Sequence, residues 1–156
     1  MCIEERIADL AARVGIGLAA GVAGTAAMTA ASTIEAKLRG RGASGAPAAA
    51  AGKVLGVQPS GEQGQQRFAQ VVHWMYGTGL GAARGVLDGL GLPPVAATAA
   101  HAALIWGSEQ IALPKLGVMA PVRKQAPAEV GIDLIHHAVY ACTTAAVYTR
   151  LIRRVG

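Results

Sequence analysis

Large side chains and charge are both scarce in this chain of 156 residues. It has one Phe, two Trp and three Tyr, and 15% of its residues are charged, against roughly 25% in an ordinary soluble domain. The apolar mass is Ala, Gly, Val and Leu, within a hydrophobic content of 53%. A core of such small residues gains little from burial in water, at about 25 cal/mol per Å². In lipid the same residues let helix backbones approach closely. The two cysteines, Cys2 and Cys142, exclude a disulfide framework and a cysteine-based metal site. The start, Met-Cys-Ile-Glu-Glu-Arg, carries acids where a cleaved signal would carry a basic segment, and Cys2 does not follow the apolar run of a lipoprotein signal. There is no Gly-x-Ser-x-Gly, phosphate loop, dinucleotide fingerprint or His-Glu-x-x-His, so the chain is not expected to be an enzyme. No alternating strand pattern and no long repeat is present.

What is present is a set of apolar segments bounded by charge. Residues 14–33 contain no charged side chain, and at helical rise they cover about 30 Å, the thickness of a hydrocarbon core. Before them, Ile3, Ile7, Leu10 and Val14 recur at helical spacing and form a short amphipathic extension. Three more segments follow, at about 68–89, 95–113 and 130–148. The expected fold is an all-α, Gly/Ala-rich bundle of four transmembrane helices, a single domain over 1–156. A soluble four-helix bundle is the competing reading, but a surface helix needs a polar stripe that 14–33 lacks.

The long connection over 40–66 is rich in Gly, Pro, Ser and Gln. It predicts one short helix from Pro47 to Leu55, stopped by Gly56. Ser60 with Gln63 resembles a capping box for the second span. Pro114 is the expected stop of the third. The net charge of +5 comes from Lys and Arg that flank the apolar runs, the pattern of contacts with lipid headgroups, so the bilayer and not nucleic acid is the expected partner.

Small residues recur every four positions: Gly77, Gly81, Gly85 and Gly89 in the second span, and Gly17 and Gly21, continued by threonines, in the first. Such ridges predict helix–helix seams, with a homo-oligomer face as the alternative. Arg84 and Asp88 stand four apart and can pair.

All four histidines, His73, His101, His136 and His137, fall inside apolar segments, where an imidazole is costly to bury. Four spans bring the connections 34–67 and 114–129 to one side. Measured from there at helical rise, His73, Glu109, Asp133 and His136/His137 lie about 5–10 Å deep. With Glu35 at the end of the first span, they predict one polar layer shared by four helices. His101 lies nearer the other end and reads as a packing residue. The layer admits three uses: interfacial anchoring, a proton-responsive cluster, or a site for iron, zinc, manganese or haem, with Asp133-x-x-His136 as part of an O/N ligand set. A small transporter or channel is a further alternative, although the Ala/Gly core beyond the layer offers no polar path. No cofactor is expected on the main reading.

The run Gly17-x-x-x-Gly21 to Met28 and Glu35, His73-Trp74-x-Tyr76-Gly77-Thr78-Gly79, Trp106-Gly107-Ser108-Glu109 with Leu113-Pro114 and Leu116-Gly117, and Glu129-x-x-x-Asp133-x-x-His136-His137-x-x-Tyr140 resembles the YagU-like family of small bacterial inner-membrane proteins. The resemblance extends from about residue 14 to 150. It implies a multi-pass inner-membrane protein with a role in acid or envelope stress, and it carries over no catalytic residues.

Overall fold

The computed structural model describes residues 2–42 and 44–155. Among the described residues the chain forms five α-helices and no strand: α1 (Ile3–Leu38), α2 (Ala46–Leu55), α3 (Gly61–Gly89), α4 (Pro94–Lys115) and α5 (Pro127–Val155), with a 3₁₀ turn at Val122–Lys124. The amphipathic extension and the uncharged segment are one continuous helix of 36 residues. Its first turn is closed by Glu5, whose carboxylate accepts from the Cys2 backbone N–H at 2.7 Å.

Local signals in the long connection act largely as their chemistry predicts. Pro47 lies in the first turn of α2, and Gly56 ends it in the left-handed conformation, φ 66°, which costs glycine little. Ser60 stands at the N-cap of α3 but makes no side-chain cap bond, so the expected box with Gln63 does not form. Gly61 enters with φ 70°, a left-handed conformation that costs glycine little. Pro114 does not stop α4, which runs on to Lys115. In the last turn a proline removes one hydrogen bond without breaking a continuing helix.

The four long helices pack in the cyclic order α1, α3, α4, α5, and α2 lies against α3. The turn at Gly91–Pro93 joins α3 to α4 as an antiparallel pair. The α1–α3 seam is where small residues decide the geometry. A Cβ on Gly21 would stand 2.7 Å from the Thr78 carbonyl oxygen, one on Gly81 2.7 Å from Gly21 Cα, and one on Gly85 2.9 Å from Val14 Cα. Gly17 faces the Gly81 carbonyl, and Gly77 faces Thr25. Gly89 meets side chains and no backbone, Leu10 Cδ1 at 3.0 Å and Arg13 Cδ at 3.5 Å. The glycine ridges thus face each other within one chain.

The distribution of polarity is inverted relative to a soluble protein. Arg84, His101, His136, His137, Thr25 and Thr144 are buried, while Val71, Met75, Ile111, Leu134 and Ile135 are exposed. Two of the helices, α1 and α5, are long and apolar enough to cross a membrane. The segments α3 and α4 were expected to span as well. They fall short of the same measure because α3 carries Arg67, His73, Arg84 and Asp88 among many glycines, and α4 carries His101, Ser108, Glu109 and Gln110.

Candidate functional site

The end of the bundle that carries α2 holds the candidate site. α4 contributes Glu109, and α5 contributes Asp133 and His137 from successive turns. His137 is 3% exposed and lies between the two acids. Its Nε2 is 2.9 Å from Glu109 Oε2. Its Nδ1 is 2.8 Å from the Asp133 backbone oxygen and 3.5 Å from Asp133 Oδ1.

The hydrogen-bond partners fix where protons must be. A carbonyl oxygen only accepts, so Nδ1 carries a hydrogen and donates to Asp133. Nε2 then meets a carboxyl oxygen at bonding distance, and the contact needs one proton between them. Either an imidazolium faces a carboxylate or a neutral ring accepts from a carboxylic acid. In both cases the pair holds one proton.

Asp133 is itself fixed. Trp106 Nε1 donates to its Oδ2 at 2.9 Å and Gln110 Nε2 at 3.2 Å, and Gln125 reaches Gln110 at 3.4 Å. α4 is therefore fastened to α5 through Trp106, Glu109 and Gln110. Trp106 and Gln110 were not anticipated. Trp106 stands three residues before Glu109 and four before Gln110, which puts all three on one side of α4, a signal visible in the sequence once Asp133 is known to lie opposite.

A small cavity of about 40 Å³ adjoins the pair, room for a very few waters. Glu109 and His137 line it, together with His73 and Tyr76 from α3, Thr25 and Met28 from α1 and Pro47 from α2. α2 thus closes over it, held by Lys53, whose Nζ donates to the Leu116 carbonyl at 2.6 Å. His73 does not join the acids. Its Nε2 is 2.8 Å from Thr29 Oγ1, and the Thr29 hydroxyl already donates to the Thr25 carbonyl at 2.7 Å. Nε2 of His73 is therefore the donor. Tyr140 bridges inward from α5 and donates to the Gly77 carbonyl at 2.6 Å.

Of the residues expected at one depth, Glu35 and His136, like His73, do not bond to the Glu109–His137–Asp133 group. Glu35 lies with Arg39 at 3.1 Å and with Arg41, and Arg39 continues to Glu129 of α5. This network outside the apolar segments holds the Glu35 carboxyl below the usual carboxylate range, chiefly through Arg41, and the Glu129 carboxyl likewise through Arg39. His136 is buried and makes no ion pair with Glu109; Glu35, Asp133, Arg41 and His137 are the charged or titratable groups near it. Equal depth does not imply contact, because each residue turns the side chain by about 100° around the helix axis.

The nearest donor atoms of Glu109, Asp133 and His137 lie within 4.8 Å of one another, close enough to share a cation. The ring, however, presents one nitrogen to each acid, an arrangement that bridges the carboxylates instead of converging them on one point.

The opposite end holds a second polar group. Arg84, 1% exposed, lies over the Tyr148 ring at 4.5 Å and 3.7 Å from Asp88. Asp88 also accepts from the Tyr148 hydroxyl at 3.0 Å and pairs with Arg13. His101 stands between the two ends, and its Nε2 donates to the Leu80 carbonyl at 3.0 Å.

No family model, curated protein or solved structure matches the chain.

Proposed function

We propose that this chain is a four-span inner-membrane bundle without enzymatic activity, in which the Glu109–His137–Asp133 group makes the attachment of α4 to α5 depend on pH. The inverted polarity supports membrane residence: exposed Val, Leu, Ile and Met surround buried Arg, His and Thr, so a lipid solvent meets the apolar outside while the polar groups bond internally. On this reading α3 and α4 cross beside α1 and α5, shielded along the glycine seam.

The observation that carries the pH dependence is the single proton the His137–Glu109 contact requires. Adding a second proton neutralises the carboxylate and leaves an imidazolium against a weakly accepting carboxylic acid, so the charge assistance is lost. Removing the first sets a ring lone pair against a carboxylate. Both changes weaken the fastening of α4, so it is strongest between them. The titratable or charged groups around His137 are Glu109 from α4, Asp133, His136 and Tyr140 from α5, and His73 and Tyr76 from α3; α1 presents Thr25 and Met28, and α2 presents Pro47. An acid- or envelope-stress role fits this behaviour and agrees with the resemblance to the YagU-like proteins.

The test is the pH profile of thermal stability in lipid nanodiscs, between about pH 4 and 9, where imidazoles and carboxyls change charge. Wild type is expected to lose roughly 1–3 kcal/mol on each side of a maximum, the range for hydrogen bonds to charged groups. Glu109→Gln keeps a donor to Nε2 but does not titrate, and its profile should be flatter. Superimposable profiles would overturn the proposal. So would a stoichiometric metal that co-purifies with wild type and is lost in Glu109→Gln, because the group would then be a cation site.

A further inference from the structure

The outer face of the α4–α5 pair carries a groove remote from the acid–histidine group. It is a shallow, open trough with room for about 690 Å³. Its walls are mainly alanine, Ala102, Ala138 and Ala146 among them, and it ends at Arg150 and Arg153.

The groove is more apolar than its residue types suggest. Thr98 and Thr149 line it, but their hydroxyls donate to the Pro94 and Ala145 carbonyls, each at 2.8 Å. They present methyl groups to the space. Polarity begins only at the two arginines, and among the described residues no carboxylate pairs with either of them. At helical rise, Ala138 to Arg150 covers about 18 Å, close to the half-thickness of roughly 15 Å that one leaflet's hydrocarbon occupies. The guanidinium groups therefore stand at headgroup depth above an apolar trough one acyl chain long.

We propose that this groove binds one anionic phospholipid, with an acyl chain along the α4–α5 alanines and its phosphate between Arg150 and Arg153. The charge complementarity selects an anionic over a zwitterionic lipid. The small side chains leave the volume that the chain fills. This inference rests on the membrane reading above but not on the acid–histidine group.

Native mass spectrometry of the full chain, titrated with phosphatidylglycerol or phosphatidylcholine in detergent, tests it. Wild type should retain one phosphatidylglycerol in preference to phosphatidylcholine. Arg150→Gln with Arg153→Gln should weaken retention by roughly 10- to 30-fold, the effect expected of two basic residues at a membrane surface. Ala138→Phe with Ala146→Phe should also abolish it although both arginines remain. Helical circular dichroism checks that each variant folds; if the filled variant does not fold, the arginine variant decides.

Equal retention of the two lipids overturns the proposal, as does wild-type retention in the filled variant, which would reduce the effect to surface charge. A dimer without lipid, lost in the filled variant, overturns it in favour of a second copy. Carbonate extraction separates the premise from the inference: a chain released from the membranes refutes both, whereas a retained chain without lipid selectivity refutes only the lipid site.

Discussion

Arg84 shows how one buried charge organises its surroundings. It is 1% exposed, its Nε and Nη1 lack hydrogen-bond partners, and its nearest acid oxygen is 3.7 Å away. The Tyr148 ring, 4.5 Å from the guanidinium carbon, supplies part of the missing stabilisation through its π face. Asp88 serves Arg84, Arg13 and Tyr148 together. Asp88→Asn is therefore expected to cost about 3–5 kcal/mol, because it leaves a buried cation unpaired, while Arg84→Met, of similar length and apolar, should be neutral or stabilising. Melting in nanodiscs checks both. A loss for Arg84→Met as large as for Asp88→Asn would show that the cation itself contributes net stability. At the candidate site the residue scale is equally specific: Glu109 is useful to His137 only because Nδ1 is already committed to the Asp133 carbonyl.

Among the elements, α1 and α3 depend most on the absence of side chains. Gly81 faces the Gly17 carbonyl and Gly21 Cα, backbone that cannot move aside without separating the helices. Gly79, two residues away on the same helix, has open space where a Cβ would lie. Gly81→Ala should destabilise by about 1–3 kcal/mol as overpacking. Gly79→Ala should be neutral or gain up to about 1 kcal/mol from helix propensity. Thermal unfolding of the two single variants compares them directly; equal effects would mean that the seam yields more easily than its contacts indicate. The element α2 is held differently. Its cation Lys53 lies against the Leu116 and Gly117 carbonyls just past the end of α4, where the helix dipole favours positive charge, and its Pro47 lines the cavity.

Over the whole molecule, two acid-sensitive connections separate by chemistry. The outer one joins α1 to α5 through Glu35, Arg39, Arg41 and Glu129. In the folded chain Glu35 and Glu129 are held below the ordinary value of 4.5 by their arginine neighbours, Arg41 first for Glu35 and Arg39 first for Glu129. The unfolded chain then takes up protons more readily, so this network stabilises above pH 4.5 and the contribution is lost as pH falls through the lowered values. Exposure to water keeps the effect small. Glu129→Gln should reduce stability above pH 4.5 and flatten the profile only below it, whereas Glu109→Gln alters the profile on both sides of its maximum. Unfolding of each variant across the same pH series distinguishes them; a loss for Glu129→Gln that persists undiminished at acid pH would contradict the assignment.

Much of the architecture was legible because it follows from local chemistry. Helical periodicity, the uncharged run 14–33, Pro47 and Gly56 around α2, and the turn at Gly91–Pro93 each act over a few residues. The four-residue spacing of glycines likewise marks which helix faces admit close approach. The stripe His137, Tyr140, Thr144 and Tyr148 is buried as one face of α5, again a consequence of helical period. The candidate site was legible only as a depth. That placed Glu109, Asp133 and His137 at one level, but it also placed Glu35 and His136 with them. Which of these touch depends on the rotation of each helix about its axis and on its neighbours, and the α1–α3 glycine seam and the α4–α5 contacts set both. Sequence by itself therefore determined the helices and the polar residues each carries near one end. Only the tertiary packing decided that His137 is shared between Glu109 and Asp133, because hydrogen bonds form over about 3 Å and a turn of one residue carries a side chain to another face.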